Sequence, residues 1–286
     1  MNKTLIEIIN KAKAVKTTND ALIESFERYI HLLMQLEIDY EYIKVDEFKK
    51  TLKHNSSRMA LYESRLNSLT EEENFNHFCR YVHLQIEGLL NYYLTMRYSS
   101  CSDFKLSYAK KIKSRLELLC NLNFDEFKTE YGDFLVELEK PEITEESKQE
   151  IISKFNSKYE NSLMLYLQHK YDLKVYISPD EERRIKADYD YSVIENGIKE
   201  IEDKFTEISR VPFAYKFEYF LLSYEIDNNH KISIEALTDY RNKELSHSGE
   251  LTLSLTRNAK ALKERKNFMA LKDSLQEINQ LVKINS

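Results

Sequence analysis

Apolar side chains recur along this chain at steps of three and four residues, the spacing of one face of an α-helix. The clearest series comprises Leu22, Phe26, Tyr29, Ile30, Leu33 and Leu36. Similar series predict helices over about residues 46–69, 71–98, 103–121, 124–139, 142–171, 189–208, 213–224, 233–248 and 256–283. Only Leu173–Ser178 alternates as a β-strand does. The pattern predicts an all-α protein, a multi-helix bundle with at most a minor β element.

Short polar signals mark several of the predicted helix ends. Thr70 is followed three residues later by Glu73, which is the spacing of a capping box. The polar run Asp227–His230 predicts a turn, and Gly249 predicts the end of a helix that Ser233 opens.

Composition narrows the function classes. With 4 Gly and 3 Pro, the chain has little material for the glycine-rich loops that cradle nucleotide phosphates. Its net charge of -6 argues against a general nucleic-acid coat protein. No apolar run approaches the length of a membrane helix, and the first residues, MNKTLIEIINKAKAVK, do not resemble a secretory signal. Three widely spaced cysteines fit a reducing compartment, so we expect a cytoplasmic protein that contacts no membrane.

The helix predicted over 71–98 carries a polar stripe, which we define as Arg80, His83, Glu87 and Asn91. These residues are three or four positions apart and share a face. The stripe is either a solvated face or the lining of a cleft, and the sequence leaves both interpretations open. His83 and Glu87 lack further ligands at a known metal-binding spacing, so we predict no metal site.

The segment Tyr240–Gly249 holds the residues best suited to chemistry. Arg241 and His247 are six positions apart, about 120° from a common helical face, so a helix that ends or tightens near Ser246 would let them approach. Arginine binds phosphate through a fork of donors, and histidine titrates near neutral pH. Together they suit phosphodiester cleavage without a metal or cofactor. The alternative is a structural one, in which His247 caps a helix and Arg241 pairs with a surface carboxylate.

The order Arg241-Asn242, four further residues and His247 resembles the motif of the HEPN superfamily (higher eukaryotes and prokaryotes nucleotide-binding domains). This resemblance implies an all-α domain and a metal-independent endoribonuclease that works as a homodimer with a composite active site. It implies catalytic roles for Arg241, Asn242 and His247, and a part in anti-phage defence or a toxin system. Five further residues would bind RNA or support the catalytic ones: Lys243, Ser246, Glu87, Arg80 and His83.

The resemblance also bears on domain organisation. It covers residues 233–250 best and extends plausibly to 71–98, so we predict a helical domain over 71–286, an N-terminal helical extension over 1–70 and an insertion at about 120–190. One feature departs from the family: four positions after Glu87, where a basic, aromatic or hydroxyl residue is common, stands Asn91.

Two function classes remain open at this stage. Between Lys231 and Lys272 there are nine Lys or Arg against five Asp or Glu, a local excess that suits RNA, although it also fits the solvated face of the last helix. The first class is an endoribonuclease. The second is a non-catalytic helical module that binds a nucleotide or a protein partner, such as an antitoxin or regulator.

Overall fold

The computed structural model of the chain describes residues 20–36, 40–121, 123–170, 208–245 and 255–286. In these ranges it contains ten α-helices and no strand, which confirms the all-α prediction. The helices are α1 (Asp20–Gln35), α2 (Asp46–Ser64), α3 (Glu71–Arg97), α4 (Cys101–Cys120), α5 (Phe124–Leu138), α6 (Glu145–Lys170), α7 (Phe213–Leu221), α8 (Asn228–Tyr240), α9 (Arg257–Arg265) and α10 (Phe268–Asn285). A 3-10 turn spans Ile208–Arg210, and a π turn spans Arg241–Leu245.

The chain divides into two compact units. One comprises residues 1–99 and 212–286, and the other comprises residues 100–211. In the second unit, α4 and α5 both contact α6, and an aromatic cluster around Phe127, Phe155 and Tyr159 joins α5 to α6. The first unit includes α1, α2 and α3, while the domain boundary at residue 70 stays a prediction.

α3 is the central helix of the first unit, because it packs against α2, α7, α8 and α10 and against the π turn. Its apolar stripe, which includes Phe78, Val82 and Leu89, is buried. A Cβ at Gly88 would lie 3.0 Å from Leu52 Cδ2, so a glycine at this position lets α2 approach α3 closely. The polar stripe lies on the face of α3 opposite these apolar residues.

The capping box predicted at the start of α3 is present. The Glu73 backbone N–H donates to Thr70 Oγ1 at 3.2 Å, and the Thr70 backbone N–H donates to Glu73 Oε2 at 2.8 Å. Two orphan donors of the first turn are thereby satisfied. The cap therefore sets the residue at which α3 begins.

Two predicted boundaries were wrong. The helix predicted to reach residue 69 ends at Ser64, because Arg65 adopts a left-handed conformation with φ 60°. The helix predicted over 256–283 is two helices, since Lys266 is also left-handed (φ 44°) and the Asn267 side chain then caps Ala270 at 3.1 Å. In both places a basic residue adopts the left-handed conformation that glycine usually takes, so the residue type did not indicate the helix end.

The predicted turn at Asp227–His230 was also wrong. Asp227 accepts a hydrogen bond from the Asn229 backbone N–H at 2.8 Å and caps α8, which begins at Asn228 rather than at Ser233. Aspartate and asparagine favour both turns and helix caps, so the sequence signal was ambiguous. The strand predicted at Leu173–Ser178 and most of the helix predicted over 189–208 lie outside the described residues.

Within the described ranges, no helix is both long enough and apolar enough to span a membrane.

Candidate functional site

The π turn at Arg241–Leu245 continues α8 directly and is held against α3. The buried Tyr240 immediately before it donates its hydroxyl hydrogen to Asn76 Oδ1 of α3. The helix widens over Arg241–Leu245. Ser246, near which an end or a tightening would let Arg241 and His247 approach, lies outside the described residues. Such widened turns occur often at functional sites, because they redirect side chains from the regular helical face.

The polar stripe of α3 is largely covered by α7 and the π turn. His83 is 2% exposed, and its ring centroid lies 4.4 Å from that of Phe213 on α7. Glu87 and Asn91 are half-buried, and only Arg80 is exposed. The interpretation of the stripe as a fully solvated face is therefore wrong, and the stripe lines a contact between helices.

Lys216 of α7 is the residue that sequence reasoning missed. Its side chain has no exposed surface, and its ammonium donates to Glu87 Oε1 and to Asn91 Oδ1, each at 2.9 Å. The positive charge beside Glu87 thus comes from another helix rather than from the residue four positions on. A signal was available, because Lys216 stands between Phe213 and Phe220 on an otherwise apolar helical face.

His83 is held in its neutral form. Burial lowers its pKa from 6.5 to about 4, and the positive charges of Arg241 and Lys216 act in the same direction while Glu87 opposes them. The π turn thus carries the Arg241 guanidinium into electrostatic reach of the stripe. Neither ring nitrogen of His83 has a hydrogen-bond partner among the described residues.

The described residues of the motif differ in their surroundings. Arg241 is half-buried and donates through Nη1 to Asn242 Oδ1 at 3.0 Å, and Asn242 is exposed. Lys243 forms an ion pair with Asp239 at 2.7 Å, so its charge is compensated within α8 and the turn. Asn242 therefore contacts the guanidinium of the residue before it.

Ser246 and His247 lie outside the described residues, but the chain on either side is anchored. Glu244 accepts from Lys263 Nζ at 2.7 Å, which ties the π turn to α9. The Thr256 backbone N–H donates to Asp239 Oδ2 at 2.9 Å, which ties the start of α9 to α8. Burial raises the pKa of Asp239, but hydrogen bonds from Lys243 and Thr256 outweigh it, so the carboxylate stays ionised.

The pKa of His83 predicts an acid-sensitive stability. The unfolded state takes up the proton near pH 6.5 and the folded state only near pH 4, so protons destabilise the fold as pH falls through that window. We expect a loss on the order of 3 kcal/mol between pH 7 and 4 from this group. Urea unfolding of the parent and His83→Phe measures it.

The His83→Phe variant should lose less stability than the parent over that pH range, because the titrating ring is gone. The exposed His31 is the matched control, and His31→Ala should follow the parent. Equal slopes for the parent and His83→Phe would contradict the assignment.

Chemically, the site combines a guanidinium, a group that is able to bind phosphate, with a neutral imidazole and a carboxylate neutralised by a buried ammonium. In the ranges that the structure covers, no three His, Cys, Asp or Glu side chains converge as metal ligands. A half-buried guanidinium can stabilise an anion more strongly than it could in water. No protein-family model, curated protein or solved structure matches this chain.

Proposed function

We propose that the chain is a metal-independent endoribonuclease, active as a homodimer in which the motifs of two protomers form one site. One observation carries the proposal: the π turn that begins at Arg241 packs against α3, whose polar stripe includes His83, and the Arg241 charge acts on that ring. Both groups of residues were candidates from the sequence, and they come from helices far apart along the chain. Defence against phage or a toxin system is the biological role that the family resemblance suggests.

In the proposed reaction His247 removes the proton from a ribose 2′-hydroxyl, and the 2′-oxygen attacks the adjacent phosphorus. The bond from phosphorus to the 5′-oxygen breaks, and that oxygen takes up a proton from the protonated histidine of the composite site. The products are a 2′,3′-cyclic phosphate and a 5′-hydroxyl. Arg241 neutralises the charge that develops on the phosphate, and Asn242 orients the guanidinium.

The pKa of His83 gives that residue a different part. Because its pKa is about 4 and its ring is buried, His83 is neutral near pH 7 and does not transfer a proton in the reaction. Glu87 accepts a hydrogen bond from Lys216, so we give it a positioning role rather than a part in proton transfer. We therefore assign proton transfer to His247 alone.

A second function is favoured by a different feature of the same residues. Lys216 donates hydrogen bonds to both Glu87 and Asn91, and His83 is only 2% exposed. Such buried, paired groups suit a purely structural contact between helices. In that case the chain is a non-catalytic module that binds a nucleotide or a protein such as an antitoxin or regulator. It would then bind its partner and cleave no RNA.

The test is RNA cleavage in excess EDTA by the parent and by His247→Ala. We expect the parent to cleave and the variant to lose about 100-fold or more, since a positioned acid–base group contributes that much. The exposed His31, replaced by alanine, is the matched control and should cleave like the parent. A 5′-hydroxyl on the products, shown by direct labelling with a kinase, identifies the route. Cleavage that survives in His247→Ala, or that is absent throughout, would contradict the proposal.

A further inference from the structure

An aromatic seam, which we define as Tyr62, His77 and Tyr81, joins α2 to α3. The ring centroids of Tyr62 and His77 are 4.6 Å apart with planes 16° from parallel, and those of Tyr62 and Tyr81 are 5.8 Å apart at 19°. All three rings are half-buried and so present part of their surface to solvent. The aromatic surface that stays exposed after this mutual stacking is of the kind on which nucleobases stack.

Guanidinium groups accompany the seam on both helices. Arg58, one turn before Tyr62 on α2, is half-buried, and Arg80, adjacent to Tyr81 on α3, is exposed. Burial and the charges of Arg80 and Arg58 lower the pKa of His77, while Glu73 opposes them. The two arginines therefore lie near the imidazole, so that cations accompany the aromatic rings on this surface.

The seam is continuous with the candidate site. Arg80 lies three positions after His77 and three before His83, and residues three apart are neighbours on a helix surface. The π turn that begins at Arg241 packs against this same helix. A chain with a charged backbone and planar bases could follow α3 from the seam to Arg241 by way of Arg80.

We propose that the aromatic seam binds single-stranded RNA, with bases stacked on its rings and phosphates held by Arg58 and Arg80. The inference rests on the proposed function, because it supplies the route by which RNA reaches Arg241. A single strand fits better than a duplex, since neighbouring base pairs of a duplex stack on one another and leave no base face to stack on protein. An apolar protein surface fits less well, because it would have to desolvate two guanidinium groups.

The experiment measures binding without cleavage. A fluorescent single-stranded oligonucleotide that is 2′-O-methylated throughout cannot undergo attack by its 2′-oxygen, so its anisotropy reports affinity alone. The variants are Tyr62→Ala and Tyr81→Ala, with Tyr81→Phe as the matched control that keeps the ring. Arg80→Glu is compared with Arg115→Glu, which changes an exposed arginine elsewhere on the chain.

We expect each alanine variant to bind about tenfold more weakly than the parent, and Tyr81→Phe to bind like it. Arg80→Glu should weaken binding and flatten its dependence on salt, whereas Arg115→Glu should not. Because Arg80 is exposed, Arg80→Glu should keep the fold, and it tests the proposal even if an alanine variant loses helix content. Parental affinity in the alanine variants and in Arg80→Glu, equal affinity for a duplex, or no RNA binding by the parent would each overturn the proposal.

The two proposals can fail separately. Binding that depends on the seam, in a protein that cleaves no RNA, would retain the RNA-binding surface and reject the nuclease. Chelator-resistant cleavage that requires His247 but is indifferent to Tyr62 and Tyr81 would retain the nuclease and reject the seam.

Discussion

Replacing Arg241 by alanine is expected to lower chelator-resistant RNA cleavage by about 100- to 1,000-fold, the loss typical of removing one preorganised group that stabilises transition-state charge. The half-buried guanidinium acts electrostatically on the neutral His83 ring and is oriented by Asn242 at 3.0 Å. The guanidinium is therefore already in place when charge develops on the phosphate, and it needs little rearrangement. Single-turnover cleavage of a labelled RNA in EDTA measures the effect.

A structural readout accompanies the loss of activity. Because the charge of Arg241 helps to lower the pKa of His83, Arg241→Ala should raise that pKa above about 4, as followed by NMR titration of the His83 ring. The matched variant Arg241→Lys keeps the charge but loses the planar fork, so cleavage should fall while the His83 pKa stays low. An unchanged His83 pKa in Arg241→Ala would show that the two groups are not close.

Glu87→Ala is expected to destabilise the protein by about 3 kcal/mol, because it leaves the fully buried ammonium of Lys216 with Asn91 as its remaining described partner. Lys216→Met should cost about 1 kcal/mol or less. The apolar stem of methionine replaces that of lysine between Phe213 and Phe217, and Glu87, at 29% exposure, can turn to water. Urea unfolding at neutral pH measures both.

The double variant Glu87→Ala/Lys216→Met separates pairing from packing. We expect it to be more stable than Glu87→Ala alone, because the buried charge has been removed along with its partner. If Glu87→Ala costs no more than Lys216→Met, the ammonium is not confined between α3 and α7. Circular dichroism of all three variants checks that their helix content is retained.

α3 links these predictions, since the residues concerned contact its polar face in order along its length. Tyr240 binds at Asn76, Arg241 acts on His83, and Lys216 binds Glu87 and Asn91. Because a helix advances about 1.5 Å per residue, the span from Asn76 to Asn91 is about 22 Å. A substitution at one end can therefore alter activity while one at the other alters only stability.

Local properties of the chain were predictable from the sequence. The spacing of apolar residues identified the helices, and Thr70 with Glu73 identified the start of α3, because capping depends on neighbours three residues apart. The polar stripe and the Arg241–His247 motif were likewise visible as periodicity and residue order. The ends at Arg65 and Lys266 were not, since each depends on a left-handed conformation that the residue type does not favour.

Only the tertiary structure decided what these local features contact. The sequence could not show that Lys216 pairs with Glu87, 129 positions away. Nor could it show that Phe213 packs on His83 or that the charge of Arg241 acts on that ring. Burial and long-range electrostatics depend on which helices pack together. From the sequence the stripe was compatible with solvent and with a cleft, and the structure shows that α7 covers much of it. Periodicity along the chain determines which face of a helix is polar, and packing determines what that face meets.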